Sequence, residues 1–295
     1  MTNSKKNKVG IVESTGGVKK MWTPFSIVML VILIVYSLSL FGTLFWALMT
    51  ALKAKTEYMR DPLGLPQDWL FSNFITAVNE LSASGKSVPT MLFNSLWLAV
   101  LPPTINLFTA AMASYAMAHY KFPGRNLIWT IMIFMMTLPV LGTGAAQYKM
   151  LYRLNFYNSP LYVLKSVTGL GGSLFLIAAF SGVSKTYAEA AFIEGAGHFK
   201  IFFTIMLPQV SGVILALWTM SFITHWNDYM TPIMYLPDYT PLTTGLYIYQ
   251  KENERRLNTP VLFAGSLLVL IVPVTLFAIF QDKFMNISFG GGIKG

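Results

Sequence analysis

The chain has 295 residues, of which 54% are hydrophobic and 11% are charged. A soluble domain carries about 25% charged residues, so this composition, with a mean hydropathy of +0.55, excludes a soluble globular enzyme. The 22 Phe, 14 Tyr and 7 Trp exclude a disordered chain. There is no Cys and there are three His, which excludes thiolate chemistry and a histidine-rich metal cage. The net charge of +9 suits the basic cytoplasmic flanks of a membrane protein better than nucleic-acid binding.

The first long apolar run is Phe25–Leu52, which carries no charge before Lys53. It follows a tail that contains several lysines. A secretory signal peptide has an apolar core of only about 7–15 residues, followed by a small-residue cleavage site. This run is longer and leads into a charged stretch, so the sequence predicts an uncleaved membrane span.

Five further runs are long enough to cross a membrane, which takes about 20 mainly apolar residues. They are Met91–Met117, Leu127–Ala146, Pro160–Val183, Val210–Leu236 and Pro260–Phe280. Pro and Gly inside a span are tolerated where neighbouring helices satisfy the freed backbone groups. The sequence therefore predicts an all-α polytopic membrane protein with six transmembrane helices in contact with lipid. Its expected parts are a cytoplasmic tail over 1–24, a six-span domain over 25–284 and a glycine-rich tail over 285–295.

The orientation of the chain rests on its basic residues. Six spans place both termini on the same side of the membrane. Lys and Arg divide almost equally between the two sets of loops, so counting them does not orient the chain. The lysines ahead of the first span favour a cytoplasmic N-terminus.

The polar segment Ser184–Gln209 separates the fourth and fifth predicted spans. Helix-compatible residues follow Thr186, and Gly195 and Gly197 interrupt them. A second amphipathic piece then ends at Pro208, with apolar residues at helical spacing at Phe199, Phe202, Phe203 and Met206. The pattern predicts a helix-turn-helix at the cytoplasmic surface, with a small-residue face suited to a partner's groove. An ordinary interfacial loop helix is the alternative.

The same segment resembles a family motif. Glu189-Ala190-Ala191, Glu194-Gly195-Ala196 and Leu207-Pro208 are similar to the EAA motif of bacterial ABC importer permeases. In that family the loop docks into a cleft of a cytoplasmic ATPase. The resemblance implies coupling roles for Glu189, Ala190, Ala191, Glu194, Gly195, Ala196 and Pro208. A solvated glutamate at the helix start is the other interpretation of Glu189.

Further stretches resemble the smaller six-span subunit of maltose-transporter-type carbohydrate permeases. They are Thr50–Lys53, Phe93–Leu96, Ser114–Ala118, Phe122–Gly124, Trp226–Tyr229 and Gly290–Gly295. The resemblance implies a permease of the bacterial cytoplasmic membrane with both termini and the Glu189 loop cytoplasmic. The implied partners are a second, homologous permease subunit, two cytoplasmic ATPase subunits, an extracytoplasmic solute-binding protein and a carbohydrate substrate.

Polar and aromatic residues near the outer end of the fifth span are candidates for the substrate path. An ionisable residue in a span is costly and often functional, and aromatic faces beside amides and carboxylates suit sugars. With the amide that opens the second span, the candidates are Asn94, Trp226, Asn227, Asp228 and Tyr229. An interfacial aromatic belt and helix packing are the alternatives.

The sequence lacks the GxxxxGK[ST] loop that cradles nucleotide phosphates, so we expect no ATPase activity in this chain. No catalytic residue, metal site or cofactor is expected, and ATP and Mg²⁺ would bind to the partner ATPase. The rival hypothesis is a stand-alone secondary transporter or channel. That class needs coupling carboxylates deep in the membrane, and only Asp228 is available.

Two long segments, Lys53–Pro89 and Pro237–Thr259, are expected on the outer side. The second is polar and aromatic, which makes it a candidate contact for a solute-binding protein; a solvated loop is the alternative. The C-terminal residues from Phe289 are a candidate contact for the ATPase, with a frayed terminus as the alternative.

Overall fold

The computed structural model describes residues 23–82, 86–137, 142–168, 172–252 and 257–285. Within these ranges every regular element is a helix, which confirms the all-α prediction. Most of the N-terminal tail and the glycine-rich C-terminal stretch from residue 286 lie outside the described residues.

The helices follow one another with short connections. In chain order they are α1 (Pro24–Ala51), α2 (Lys55–Arg60), α3 (Ser72–Leu81), α4 (Val88–His119), α5 (Arg125–Thr137), α6 (Gly144–Arg153), a 3₁₀ helix (Pro160–Thr168), α7 (Ser173–Gly182), α8 (Lys185–Ile193), α9 (His198–Ile201), a π turn (Phe202–Met206), α10 (Leu207–Gln209), α11 (Ser211–Asn227), α12 (Met230–Tyr235), α13 (Leu242–Glu252) and α14 (Thr259–Met285).

The chain divides after Trp46 into two compact units. The first is the apolar part of α1, which begins at a cap formed by Thr23, whose hydroxyl accepts a hydrogen bond from the Ser26 amide at 3.2 Å. The second unit begins at Ala47 and holds all the other helices.

Three helices are long and apolar enough to cross a membrane. They are α1, α4 and the Thr259–Gln281 part of α14. A fourth candidate is the pair His198–Gln209 and Ser211–Asn227, which is bent by 75°. The described residues therefore hold three to four candidate spans by length and composition, where the sequence predicts six.

The difference comes from breaks in three of the predicted spans. In the third, α5 ends at Thr137 and α6 begins at Gly144. In the fourth, the 3₁₀ helix ends at Thr168, and α7 starts after Gly172, whose φ is +75°. In the fifth, α11 ends at Asn227 and α12 begins at Met230. Among the described residues, the spans predicted over 127–146, 160–183 and 210–236 are therefore each represented by shorter elements and not by one long helix. Gly, Pro and a capping Asp end helices even inside apolar sequence.

Helix α4 is the centre of the second unit and packs against α7, α11 and the 3₁₀ helix. Pro102 and Pro103 lie buried inside it without ending it. Polar side chains tie the neighbours together across the helices, as they do in membrane bundles. The bonds are Asn106 Nδ2 to the Ser166 carbonyl (3.2 Å), Ser114 Oγ to the Ser173 carbonyl (3.2 Å) and Trp218 Nε1 to Thr104 Oγ1 (3.0 Å).

A smaller core joins α3, α13 and α14 through Ala77, Leu81, Tyr249, Val261 and Ala264. The buried amide of Asn73 closes the C-terminal end of α1, because its Nδ2 donates to the carbonyls of Ala51 (2.8 Å) and Lys53 (2.9 Å). These carbonyls have no partner within the helix, so Asn73 satisfies groups that would otherwise be buried and unpaired.

Candidate functional site

The 184–209 segment, which comprises Ser184–Gln209, folds as two helical pieces around a tight turn. Ser184 caps α8, because its Oγ accepts a hydrogen bond from the Thr186 amide at 3.3 Å. At the other end of α8, the Gly195 amide donates to the Phe192 carbonyl (3.0 Å) and the Ala196 amide donates to the Ala191 carbonyl (3.0 Å). This pair of bonds is a Schellman motif, which satisfies the last carbonyls of the helix.

Gly195 is the residue that permits this turn. Its φ is +83°, in the left-handed region that favours glycine. Gly197, two residues later, has an ordinary φ of −71°. A Cβ added at either glycine would meet no atom within 4 Å, so the two positions differ in backbone conformation and not in space.

The inner face of the segment belongs to the core beneath α4. Ala191 is 7% exposed and clusters with Ile201, Phe202 and Met206 from the second piece. The cluster continues into Tyr115 of α4 and into Leu176 and Phe180 of α7. The alanines predicted to form one small-residue face therefore lie on different faces. Ala191 points into this chain's own core, whereas Ala190 is exposed.

Hydrogen bonds and ring contacts hold the segment to the end of α4. The hydroxyl of Tyr120 and Nδ1 of His198 are 2.9 Å apart. Phe192 stacks on the other side of the turn against His198, with ring centroids 5.6 Å apart. His119 Nε2 lies 2.9 Å from the Phe180 carbonyl and joins α4 to α7. The 184–209 segment is thus fixed to the end of α4, which His119 in turn joins to α7.

The outer face of the segment carries both charge and apolar surface. Glu189, Glu194 and Pro208 are exposed. Large apolar side chains beside them are exposed as well, at Ile193 (86%), Phe199 (71%) and Phe192 (59%). The sequence analysis gave none of the three a functional role and named Phe199 only for its helical spacing. The signal for Phe192 and Ile193 is an apolar pair just before the glycine turn.

The second candidate region is the break between α11 and α12. Asp228 is half-buried, and its Oδ1 accepts a hydrogen bond from the Thr231 amide at 3.0 Å, which caps α12. Tyr229 is partly exposed and stacks on Tyr247 of α13 at 4.5 Å between centroids. Asn227 is exposed, and its Nδ2 donates to the Ile223 carbonyl one turn back at 2.9 Å.

Two of the predicted path residues have their polar groups occupied within the fold. Asn94 is buried; its Nδ2 donates to the Thr240 carbonyl, and its Oδ1 accepts from Trp97 Nε1, each at 3.2 Å. Trp226 is 2% exposed and donates from Nε1 to the Val269 carbonyl of α14 at 3.2 Å. Trp226 thereby joins α11 to α14, whereas Asn94 joins α4 to the loop before α13.

Lys165 lies in the same region as the break between α11 and α12. The sequence analysis did not select this residue as a candidate. It lines one small cavity with Asp228, His225 and Tyr162. Its Nζ lies 4.1 Å from the centroid of the Tyr162 ring and hydrogen-bonds to the Tyr162 hydroxyl. A lysine within an apolar run is itself a functional signal, so the sequence did contain the hint.

Among the described residues no three His, Asp or Glu side chains come together in a group that could hold a metal ion. The two candidate regions present hydrogen-bonding groups, aromatic faces and exposed apolar side chains.

The comparisons with known proteins define the class. Residues 105–286, more than half of the chain, match the family described as "Binding-protein-dependent transport system inner membrane component". The chain belongs to this family. The match includes α4 from Ile105 onward, the 184–209 segment and the Asp228 break.

Curated relatives cover most of the chain. The diacetylchitobiose uptake system permease protein NgcG of Streptomyces coelicolor is 29% identical over 258 residues, covering 85% of this chain and 83% of the relative. The arabinooligosaccharides transport system permease protein AraQ of Halalkalibacterium halodurans is 25% identical, covering 84% and 89%. The melibiose/raffinose/stachyose import permease protein MelC of Bacillus subtilis is 27% identical over the same shares.

A solved structure shares the fold. It is a chain of a bacterial ABC transporter that imports the acidic polysaccharide alginate, with a TM-score of 0.74 and 17% identity. The match covers 88% of this chain and 96% of that one. The present chain therefore shares its fold with a chain of that transporter.

Proposed function

We propose that this chain is one of two permease subunits of an ATP-driven importer for a sugar or oligosaccharide. The observation that carries the proposal is the 184–209 segment, which is anchored to α4 on one face and presents exposed carboxylates and apolar side chains on the other. Family membership supplies the context of binding-protein-dependent transport. The names of three relatives, which refer to diacetylchitobiose, arabinooligosaccharides and raffinose-type sugars, support a carbohydrate substrate.

In this proposal the chain crosses the membrane six times, and three crossings are made by broken elements. Irregular backbone is tolerated at membrane depth where protein or a water-filled path surrounds it. The 184–209 segment, a helix-turn-helix, and both termini lie on the cytoplasmic side. The lysine-rich start of the chain supports this orientation.

The 184–209 segment acts as the lever between the ATPase and the pore. Ile193, Phe192 and Phe199 supply apolar surface for a cleft in the ATPase, and Glu189 and Glu194 supply charge at its rim. Movement of this segment passes directly to α4 and α7, because Ala191, Phe202 and Met206 pack against both helices. A rigid-body displacement of these helices would switch the pore between its two openings.

The substrate path includes the break at Asp228. The exposed polar group of Asn227, the half-buried carboxylate of Asp228 and the aromatic face of Tyr229 suit sugar hydroxyls and C–H surfaces. Lys165 and Tyr162 extend this polar lining. Asn94 and Trp226 support it from behind through their bonds to Thr240 and Val269.

A co-purification experiment tests the proposal. The tagged chain is solubilised from its native membrane and purified as wild type, as Glu189→Lys and as the control Glu252→Lys, which reverses an exposed glutamate on α13. We expect an ATPase, a second permease and ATP hydrolysis with the wild type and the control. Glu189→Lys should lose the ATPase or its stimulation. A folded chain that purifies without an ATPase contradicts the proposal and favours a stand-alone carrier.

A further inference from the structure

Three tyrosine rings cluster just after the third predicted span, two of them exposed and Tyr157 half-buried. Tyr148 and Tyr152 lie one turn apart on α6, with nearly parallel rings and centroids 6.4 Å apart. Tyr157 folds back onto both, at 5.0 Å from Tyr148 in an edge contact and 6.2 Å from Tyr152. Tyr148 and Tyr152 are 41% and 64% exposed. We call Tyr148, Tyr152 and Tyr157 the tyrosine platform.

The loop after α6 is built to return Tyr157 to the helix. Asn155 and Asn158 have φ values of +56° and +50°, in the left-handed region that asparagine tolerates better than most residues. The Phe156 amide donates to the Leu151 carbonyl at 2.8 Å, which closes the turn. These two left-handed asparagines let the chain reverse direction after α6, which brings Tyr157 back beside the helix.

The platform is attached to the region of the proposed substrate path. The Tyr235 hydroxyl of α12 donates to the Gly144 carbonyl (3.3 Å) and to Gln147 Oε1 (3.4 Å) of α6. The Asn158 amide donates to the Tyr235 carbonyl at 2.8 Å. Because α12 begins two residues after Asp228, the platform and the break belong to one connected structure.

Hydrogen-bonding groups surround the rings. Asp238 approaches from the loop before α13, where its amide donates to Asn158 Oδ1 at 3.0 Å and its Oδ2 accepts from Asn158 Nδ2. Local desolvation, the neighbouring Tyr148 and the charge of Asp238 raise the pKa of the Tyr157 hydroxyl. Aromatic faces beside hydroxyls and a carboxylate are the chemistry that binds a sugar ring.

We propose that the tyrosine platform is a carbohydrate-binding subsite at the outer mouth, which receives the sugar ring before it reaches the Asp228 break. The inference rests on the proposed function, since it assigns a step of the same transport. An aromatic belt at the membrane surface would place tyrosines at this depth as well. Such a belt would not require the Asn155–Asn158 turn or the hydrogen bonds between Asn158 and Asp238.

Reconstituted transport tests the platform. The complete transporter, with its partner permease and ATPase, is placed in proteoliposomes and driven by its solute-binding protein. Three labelled probes are used: diacetylchitobiose, raffinose and arabinotriose. The measured quantity is the sugar moved per ATP hydrolysed. The variants are the pair Tyr148→Ala with Tyr152→Ala, the same pair to Phe, and Tyr36→Ala as a control at an exposed tyrosine of α1.

We expect the alanine pair to lower sugar per ATP by about fivefold to tenfold, because two ring contacts are lost. Stimulated ATP hydrolysis should stay near wild type, and the phenylalanine pair should keep the ratio within about twofold. An unchanged ratio in the alanine pair overturns the subsite, as does an equal fall in the phenylalanine pair or in Tyr36→Ala. If less transporter assembles while the sugar moved per ATP is unchanged, the rings belong to an aromatic belt at the membrane surface. This outcome also overturns the subsite. A wild type that hydrolyses no ATP with its solute-binding protein refutes the proposed function itself, and the subsite with it.

Discussion

The hydroxyl of Tyr120 lies 2.9 Å from Nδ1 of His198, and this bond joins the residue that follows α4 to the first residue of α9. Tyr120 also makes an edge contact with Tyr115, at 5.6 Å between ring centroids. The second piece of the 184–209 segment is therefore held to the longest helix of the chain by a directional bond in addition to apolar packing.

Removal of this bond should loosen the coupling between the ATPase and the pore. We expect Tyr120→Phe to keep the ring contact with Tyr115 and to lose the bond to His198, at a cost of about 1 kcal/mol. The complex should still assemble, and binding-protein-stimulated ATP hydrolysis should move less sugar per ATP. Tyr187→Phe, at an exposed tyrosine of α8, is the control. Equal transport by the two variants would show that the bond does not contribute.

The turn at Gly195 provides a matched pair of glycine substitutions. Gly195→Ala places a Cβ on a left-handed residue and should destabilise the turn by about 1–2 kcal/mol. Gly197→Ala adds the same methyl group in equally open space at an ordinary φ and should change little. The stimulated ATPase activity of the purified complex measures the effect. Two variants with the same activity would show that the conformation at Gly195 has no role in coupling.

The adjacent alanines test which face of α8 belongs to the core. Ala191→Leu overfills the cluster around Phe202 and Phe180 and should destabilise the chain by about 1–3 kcal/mol. Ala190→Leu enlarges an exposed side chain, so the melting temperature of the detergent-solubilised chain should stay unchanged. If Ala190→Leu retains stability and loses the ATPase, the exposed face is the docking face. A lower melting temperature for Ala190→Leu than for Ala191→Leu would contradict the assignment of faces.

Lys165 and Asp228 should behave as a coupled pair. Both groups are half-buried and line one cavity, so Lys165→Met or Asp228→Asn should leave the other charge less well compensated and lower the stability. The double variant removes both charges, so its loss of stability should be smaller than the sum of the two single losses by at least about 1 kcal/mol. Thermal unfolding of the purified chain measures the cycle, with Lys149→Met as an exposed control. Strictly additive losses would mean that the two groups act independently.

The sequence predicts the long helices well and the broken ones poorly. Uninterrupted apolar runs lead directly to α1, α4 and α14. Pro102 and Pro103 do not end α4, whereas α11 ends before Asp228 although apolar residues continue beyond it. Composition alone does not distinguish these cases, because the outcome depends on which neighbours satisfy the freed backbone groups.

In the candidate site, too, some features are predictable from the sequence and others are not. The turn at Gly195 is predictable, because few residues other than glycine adopt its backbone conformation. The inward direction of Ala191 is not, because it depends on where α4 and α7 lie. In the hydropathy pattern Lys165 is only a charge that makes a predicted span less apolar. Its position beside Tyr162 and Asp228 can be read only from the folded structure.

Site-specific crosslinking tests the central claim most directly. The chain has no Cys, so Ile193→Cys introduces a unique thiol in place of an 86% exposed apolar side chain on the outer face of the 184–209 segment. Ile75→Cys, on α3 and 68% exposed, is the control. Each is labelled with a benzophenone maleimide in native membranes, irradiated, and its products are identified by mass spectrometry. We predict a covalent product with the ATPase from position 193 and none from position 75. A product with the ATPase from position 75 alone, or from neither position, would contradict the assignment of the 184–209 segment as the coupling element.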